Sequence, residues 1–329
     1  MQEEPLYPMK FKPIYKPKIW GDDKLKSILN KTDAPEMAGE SWEISAVQEN
    51  ISILKNGFLK GNSLQDLIEI YMEDLIGPKV YKKFGNEFPL LVKFIDANDN
   101  LSVQVHPDDE MAKKRHNAYG KTEMWYILQA EPGAQLVSGF KKPISREEFT
   151  ARMNDSNIRE TLNFVDVKAG DVYFIPAGRI HATGAGILFA EIQQTSDITY
   201  RVYDWDRVDS NGKSRELHTE LARDVIDYSP VEKARTDYTT KPDFPSRIIT
   251  CPYFTTNYLH LTKSLTKSYA GCESFVIIMC TEGKLDITWD NGTLNMVKGE
   301  TALIPHEVME ITIIPAPETK ILETFIEFD

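Results

Sequence analysis

The chain has 329 residues, of which 41% are hydrophobic and 27% charged, and a formal net charge of −12. That length exceeds what one hydrophobic core usually serves, so two units are expected, and the acidic balance argues against nucleic acid or an anionic membrane as a general partner. No stretch approaches the about 18 apolar residues of a membrane span, no signal-peptide pattern follows Met1, and Cys251, Cys272 and Cys280 lack metal-binding spacing, so a cytoplasmic protein with reduced thiols is expected.

In chain order, residues 1–60 read as short strands. Prolines break residues 11–21 in the manner of an edge strand, while 41–45 and 51–54 alternate as half-buried strands do. Ser63 suits the N-cap of a helix over Leu64–Ile76, with Leu67, Ile68, Tyr71 and Leu75 at helical spacing and Gly77-Pro78 as its stop. Residues 88–96 form a buried strand that carries one lysine, Lys93. Residues 108–119 are polar enough for a surface helix, and 145–164 hold one or two more. Strands and turns return over 165–186 and 187–193, Asn211-Gly212 marks a hairpin turn, and 216–227 suits a helix.

Near Thr240 the pattern changes. Lys241-Pro242-Asp243-Phe244-Pro245 reads as a connection, after which strands dominate, giving units of 1–240 and 241–329. The expected class is mainly β, two barrels or jelly rolls, with added helices on the first.

The chemistry concentrates in the first unit. Gln104 and His106 stand two apart on an alternating run (Leu101, Val103, Val105), so on a strand they share one face. Glu123 opens a second strand-like run, and His181 follows Pro176 and Gly178, which suit a tight bend. Two imidazoles, a carboxylate and an amide from three strands can close around one divalent metal inside a barrel. A set without sulfur and with a weak amide donor leaves positions for water or substrate, which is a catalytic pattern; zinc is the expected ion, and manganese, iron and cobalt fit the same donors. His116, His218, His260 and His306 read as hydrogen-bonded structural residues.

The spacing Gly170-x5-Pro176-x-Gly178-x2-His181 is the second cupin motif, and Gln104-x-His106 with Glu123 is a stretched first motif. The run 101–109, the Gly120-Lys121-Thr122-Glu123 segment and the block 191–205 together resemble type I mannose-6-phosphate isomerase in its short bacterial form. The C-terminal segment echoes the cupin rhythm through Gly299-x5-Pro305, with Glu310 where the histidine would stand, so a metal-free barrel is expected there. The resemblance implies a cytoplasmic, metal-dependent aldose–ketose isomerase interconverting mannose 6-phosphate and fructose 6-phosphate through an enediol. It assigns Arg201 to catalysis and Lys121, Lys93 and Ser102 to the substrate. For Arg201 the competing reading is a salt bridge to Asp197, Asp204 or Asp206; for Lys93, a buried pair with Asp96 or a glutamate. Arg179 is a further candidate by position. The base remains open among a metal-bound water, Glu191 and a histidine. The implied partner is a small sugar phosphate, with the chain a monomer or weak dimer. Two rival functions share the motifs: a non-catalytic sugar-phosphate-binding cupin and an iron-dependent cupin dioxygenase.

Overall fold

The computed structural model describes residues 4–154, 157–208 and 212–328. Its strands form three principal sheets, all with antiparallel ladders. The first runs in the order Ile14–Asp22, Ala38–Ile44, Leu90–Ala97, Ile187–Gln194, Glu123–Ala130, Val172–Ile175, Arg235–Thr236. The second runs Tyr200–Tyr203, Val103–Val105, His181–Thr183, Gln135–Phe140, Leu162–Asp166. These two sheets face one another: the indole of Trp125 on the first meets the His181 ring of the second edge-on, with ring centroids 5.4 Å apart. The third sheet contains only strands after residue 245, centred on the long strands Val276–Trp289 and Glu310–Phe325.

Every residue of Leu90–Ala97 is buried, because both faces of the first sheet are covered. One face carries Trp125, Ile127, Tyr173 and Phe189 into the interior of the first barrel. The other carries Val92, Phe94, Met124, Tyr126 and Ile192 into an apolar cluster shared with Ile277, Met279 and Leu322 of the third sheet. Residues of opposite parity in the third sheet, Val276, Ile278, Cys280 and Ile321, line a separate core of its own. Ile277→Ala, in the shared cluster and fully buried, is therefore expected to cost about 2–5 kcal/mol and to lower the stability of both units in one denaturation transition. Two separated transitions, only one of them moved, would count against a shared core.

The Leu64–Ile76 helix starts as its sequence suggests. The Ser63 hydroxyl accepts the Asp66 amide while the Asp66 carboxylate accepts the Ser63 amide, a capping box that satisfies two amides at the helix start. Its far end is finished by the third sheet: the amides of Phe275, His306 and Glu307 donate to the carbonyls of Ile76, Leu75 and Asp74. Gly77-Pro78 ends this helix and also begins another, Pro78–Phe84, because a proline at the first helical position lacks only an amide hydrogen that would have no partner there. Residues 108–119 hold the helix Asp109–His116, capped by the Asp108 carboxylate on the Met111 amide. Residues 145–164 hold Arg146–Asn154 and the 3-10 turn Ile158–Thr161, while within 216–227 the helix is limited to Thr219–Arg223. Of the Asn211-Gly212 turn, Asn211 lies outside the described residues.

The N-terminal segment crosses onto the third sheet. Met9 pairs with Leu303, and the Lys10 ammonium meets the Glu300 carboxylate at 2.8 Å. Further along, the Lys31 ammonium donates to the Gly299 carbonyl at 2.8 Å and pairs with the Glu43 carboxylate at 2.7 Å.

Candidate metal centre

Cross-strand register assembles the site. In the second sheet His181 lies opposite Gln104 on one side and Ser138 on the other, and Gln104 lies opposite Arg201. Directly opposed residues of an antiparallel pair point to the same face, so Arg201, Gln104, His181 and Ser138 form one row. In the first sheet the corresponding row is Trp42, Lys93, Glu191, Trp125, Tyr173, and Glu123 lies beside Gln193 one pleat away.

His106, Glu123 and His181 converge, each almost wholly buried, with their donor atoms all within 4.8 Å of one another. The Glu123 carboxylate is 3.7 Å from His106 Nε2 and 3.3 Å from His181 Nε2. Tetrahedral ligands about 2.0–2.1 Å from a zinc ion stand about 3.3 Å apart, so the spacing suits one small cation. Both rings are oriented from behind by backbone: Nδ1 of His106 donates to the Ile198 carbonyl and Nδ1 of His181 to the Arg179 carbonyl, each at 2.8 Å. These bonds leave both Nε2 atoms as the free lone pairs, aimed at Glu123. Gly178 permits the approach to His181. It has φ of +86°, and a Cβ there would meet the Val225 carbonyl oxygen at 2.9 Å.

His106 Nε2 and both Glu123 oxygens are buried without a hydrogen-bond partner. A buried carboxylate left this way is costly unless a cation satisfies it. Burial first, and the nearby Glu191 charge second, push the Glu123 carboxyl up to about 8 against the pull of Lys121 and Lys93. Burial, with Lys121 adding to it, holds His106 well below its usual range, and burial holds His181 down to about 4. Both imidazoles are thus neutral at neutral pH, the form that binds metal. The residues present fit a divalent cation.

The Gln104 amide nitrogen stands 3.3 Å from His181 Nε2, and turning the amide over brings its oxygen to the same point, where it can serve as a fourth donor. Lys121 is buried, with its ammonium 3.7 Å from Glu123. Lys93 is engaged in a buried pair, 2.7 Å from Glu191 and 2.6 Å from the Gln193 amide oxygen, while the Trp125 indole donates to the other Glu191 oxygen at 3.0 Å. Burial alone would lower the Lys93 pKa; Glu191 and Glu40 outweigh it and raise it. Ser102 is buried two positions before Gln104. Arg201 makes no ion pair among the described residues. Asp204 is held instead by Arg207 and Arg215, at 2.6 and 2.7 Å. The Arg201 guanidinium donates to the Glu216 carbonyl at 2.8 Å, and its Nε is buried without a partner. Arg179 turns away, its guanidinium on the Phe174 carbonyl. Trp125 and Gln193 were not singled out from sequence; the period of two from Glu123 and from Glu191 was the available signal. His116 bonds to the Tyr200 hydroxyl and His218 accepts the Arg201 amide, both structural roles.

A family model described as the catalytic domain of type I phosphomannose isomerase matches residues 9–132, and one described as the mannose-6-phosphate isomerase cupin domain matches residues 246–316. The mannose-6-phosphate isomerase ManA of Bacillus subtilis is 35% identical over 316 residues, which is 95% of this chain and 96% of that one. The mannose-6-phosphate isomerase of Streptococcus mutans is 34% identical over 88% of this chain and 90% of its own. The crystal structure of the mannose 6-phosphate isomerase from Bacillus subtilis superposes with a TM-score of 0.87 at 31% identity, covering 97% of this chain and 99% of that one. A phosphomannose isomerase variant from Salmonella typhimurium, at 17% identity, shares the fold with a TM-score of 0.80 over 98% of this chain and 100% of its own.

Proposed function

This chain belongs to the type I phosphomannose isomerases, and from that membership we propose that it interconverts mannose 6-phosphate and fructose 6-phosphate at the centre formed by His106, Glu123 and His181. The observation that carries the site assignment is the set of buried donor atoms, His106 Nε2 and both Glu123 oxygens, that have no hydrogen-bond partner and face His181 Nε2. Gln104 is the fourth donor, and zinc the ion its nitrogen and oxygen set favours. Residues 1–240 are the catalytic unit, and 241–329 the unit that covers its apolar face.

The reaction moves a proton between adjacent carbons through an enediol. When bound, a divalent cation stabilises the negative charge that develops on the carbonyl oxygen. The chain's residues do the rest. His106 and His181, fixed by the Ile198 and Arg179 carbonyls, keep their lone pairs inward. Arg201, with a permanent charge and no ion pair among the described residues, stabilises enediolate charge. Lys121 takes the phosphate, with Ser102 beside Gln104's strand. Lys93 and Trp125 bond to the two Glu191 oxygens and orient them at the barrel's inner face, within the site's own wall.

The three cysteines, all free, support a place in the cytoplasm. No described helix is long and apolar enough to cross a membrane. The test is a coupled assay for fructose 6-phosphate from mannose 6-phosphate before and after chelation. Activity is expected to vanish on chelation and to return with added zinc. Turnover unaffected by complete removal of metal would refute the centre.

A further inference from the structure

The segment Gly120-Lys121-Thr122, which brings Lys121 to the site, lies outside any strand and is held from three directions. The Lys121 amide donates to the Pro107 carbonyl at 3.1 Å. The Thr122 amide donates to the Gln194 side-chain oxygen at 2.9 Å, and the Thr122 hydroxyl accepts the Ala177 amide at 3.3 Å. The third hold is Asp109: one of its oxygens accepts both the Gly120 amide, at 2.8 Å, and the Gln194 side-chain amide, at 2.9 Å. Gly120 is pressed so closely on this residue that a Cβ there would meet the Asp109 nitrogen at 2.6 Å.

We propose that Asp109 is a positioning residue for Lys121, fixing the segment that carries the substrate lysine to the site. The inference rests on the reading of Lys121 as the phosphate ligand. A carboxylate oxygen that gathers two donors from two separate parts of the chain fixes their mutual positions more tightly than a single bond does. Removing it frees the Gly120 amide and the Gln194 side chain together, and the Lys121 ammonium loses its fixed starting point.

The experiment is a double-mutant cycle on the metal-loaded, full-length enzyme, with KM and kcat for mannose 6-phosphate, metal content and Tm measured for each variant. Asp109→Ala is expected to raise KM about 10- to 100-fold, the range for a lost hydrogen bond to a charged group, with kcat and metal content near those of the parent. Asp109→Asn, which keeps the accepting oxygen, is expected to recover most of the loss. Lys121→Ala is expected to raise KM, and Asp109→Ala in that background to add little more. If Lys121→Ala raises KM and the Asp109→Ala factor multiplies it in full, Asp109 does not act through Lys121 and the proposal is overturned. If Lys121→Ala leaves KM unchanged, the phosphate reading itself fails and takes the proposal with it. Should Asp109→Ala not fold, Asp109→Ser, which shortens the acceptor, is expected to raise KM by a smaller factor that disappears in the Lys121→Ala background, and an unchanged KM in folded Asp109→Ser overturns the proposal.

Discussion

His181→Ala is expected to release most of the bound metal and to abolish turnover. The residue is fully buried, its Nε2 faces Glu123 at 3.3 Å, and its Nδ1 is committed to the Arg179 carbonyl, so it has no second role to fall back on. Removing an outer partner of a metal ligand costs about 10–100-fold in affinity, and removing the ligand itself must cost more. The variant also leaves a cavity beside Trp125, so Tm will fall, and metal content has to be compared on folded protein. Gln104→Ala is expected to retain more metal, because an amide oxygen is the weakest donor of the set. A folded His181→Ala with full metal occupancy would sink the ligand assignment.

The second large effect is expected at Arg201. Arg201→Ala should keep its metal, since a guanidinium is no ligand, and should lose turnover by about 10²–10³-fold, by analogy with the removal of one oxyanion donor. The loss belongs in kcat more than in KM if the charge it stabilises appears only in the enediolate. The structure narrows the alternatives. Asp204, its nearest acidic neighbour in sequence, is occupied by Arg207 and Arg215, and among the described residues the Arg201 guanidinium makes no ion pair and donates to the Glu216 backbone carbonyl. A raised KM with normal kcat would make Arg201 a phosphate ligand instead. A lowered Tm with normal kinetics would make it a structural residue. Near-normal kcat in the folded, metal-loaded variant would refute the assignment.

Much of this was legible in the sequence for identifiable reasons. Alternation and helical spacing are local, so the Leu64–Ile76 helix and its Ser63 cap, the Leu90–Ala97 strand and the shared face of Gln104 and His106 can be read directly. Strand order and register are not local. Nothing in the spacing shows that Gln104 stands between His181 and Arg201, or that Lys93 is opposite Glu191. The Lys93 case shows the limit well. A lone lysine in an apolar strand signals a partner or a ligand, and only the sheet order supplies the glutamate. Gly77-Pro78 stops the Leu64–Ile76 helix as its sequence suggests, but the Pro78–Phe84 helix after it carries no separate signal, because the pair that stops one helix is also a favoured way to start the next.

The strap formed by the first residues has a consequence for how the protein is made. Leu6 bonds to Glu307 across 301 positions of sequence, and Lys10 to Glu300 across 290. Met9 and Phe11 belong to the apolar cluster completed by Ile277, Leu303 and Leu322. A ribosome delivers the chain N-terminus first, at about 5–20 residues per second, so for many seconds these side chains have no final neighbours. The same delay applies to the Leu64–Ile76 helix, whose last carbonyls wait for amides from residues 275–307. Closure of contacts this distant is slow even for a released chain. The apolar face that these early residues share with the third sheet therefore stays uncovered until residues 275–322 are made, and a chain cut short before residue 300 is expected to be less soluble than the whole protein, a difference that a sedimentation assay would read.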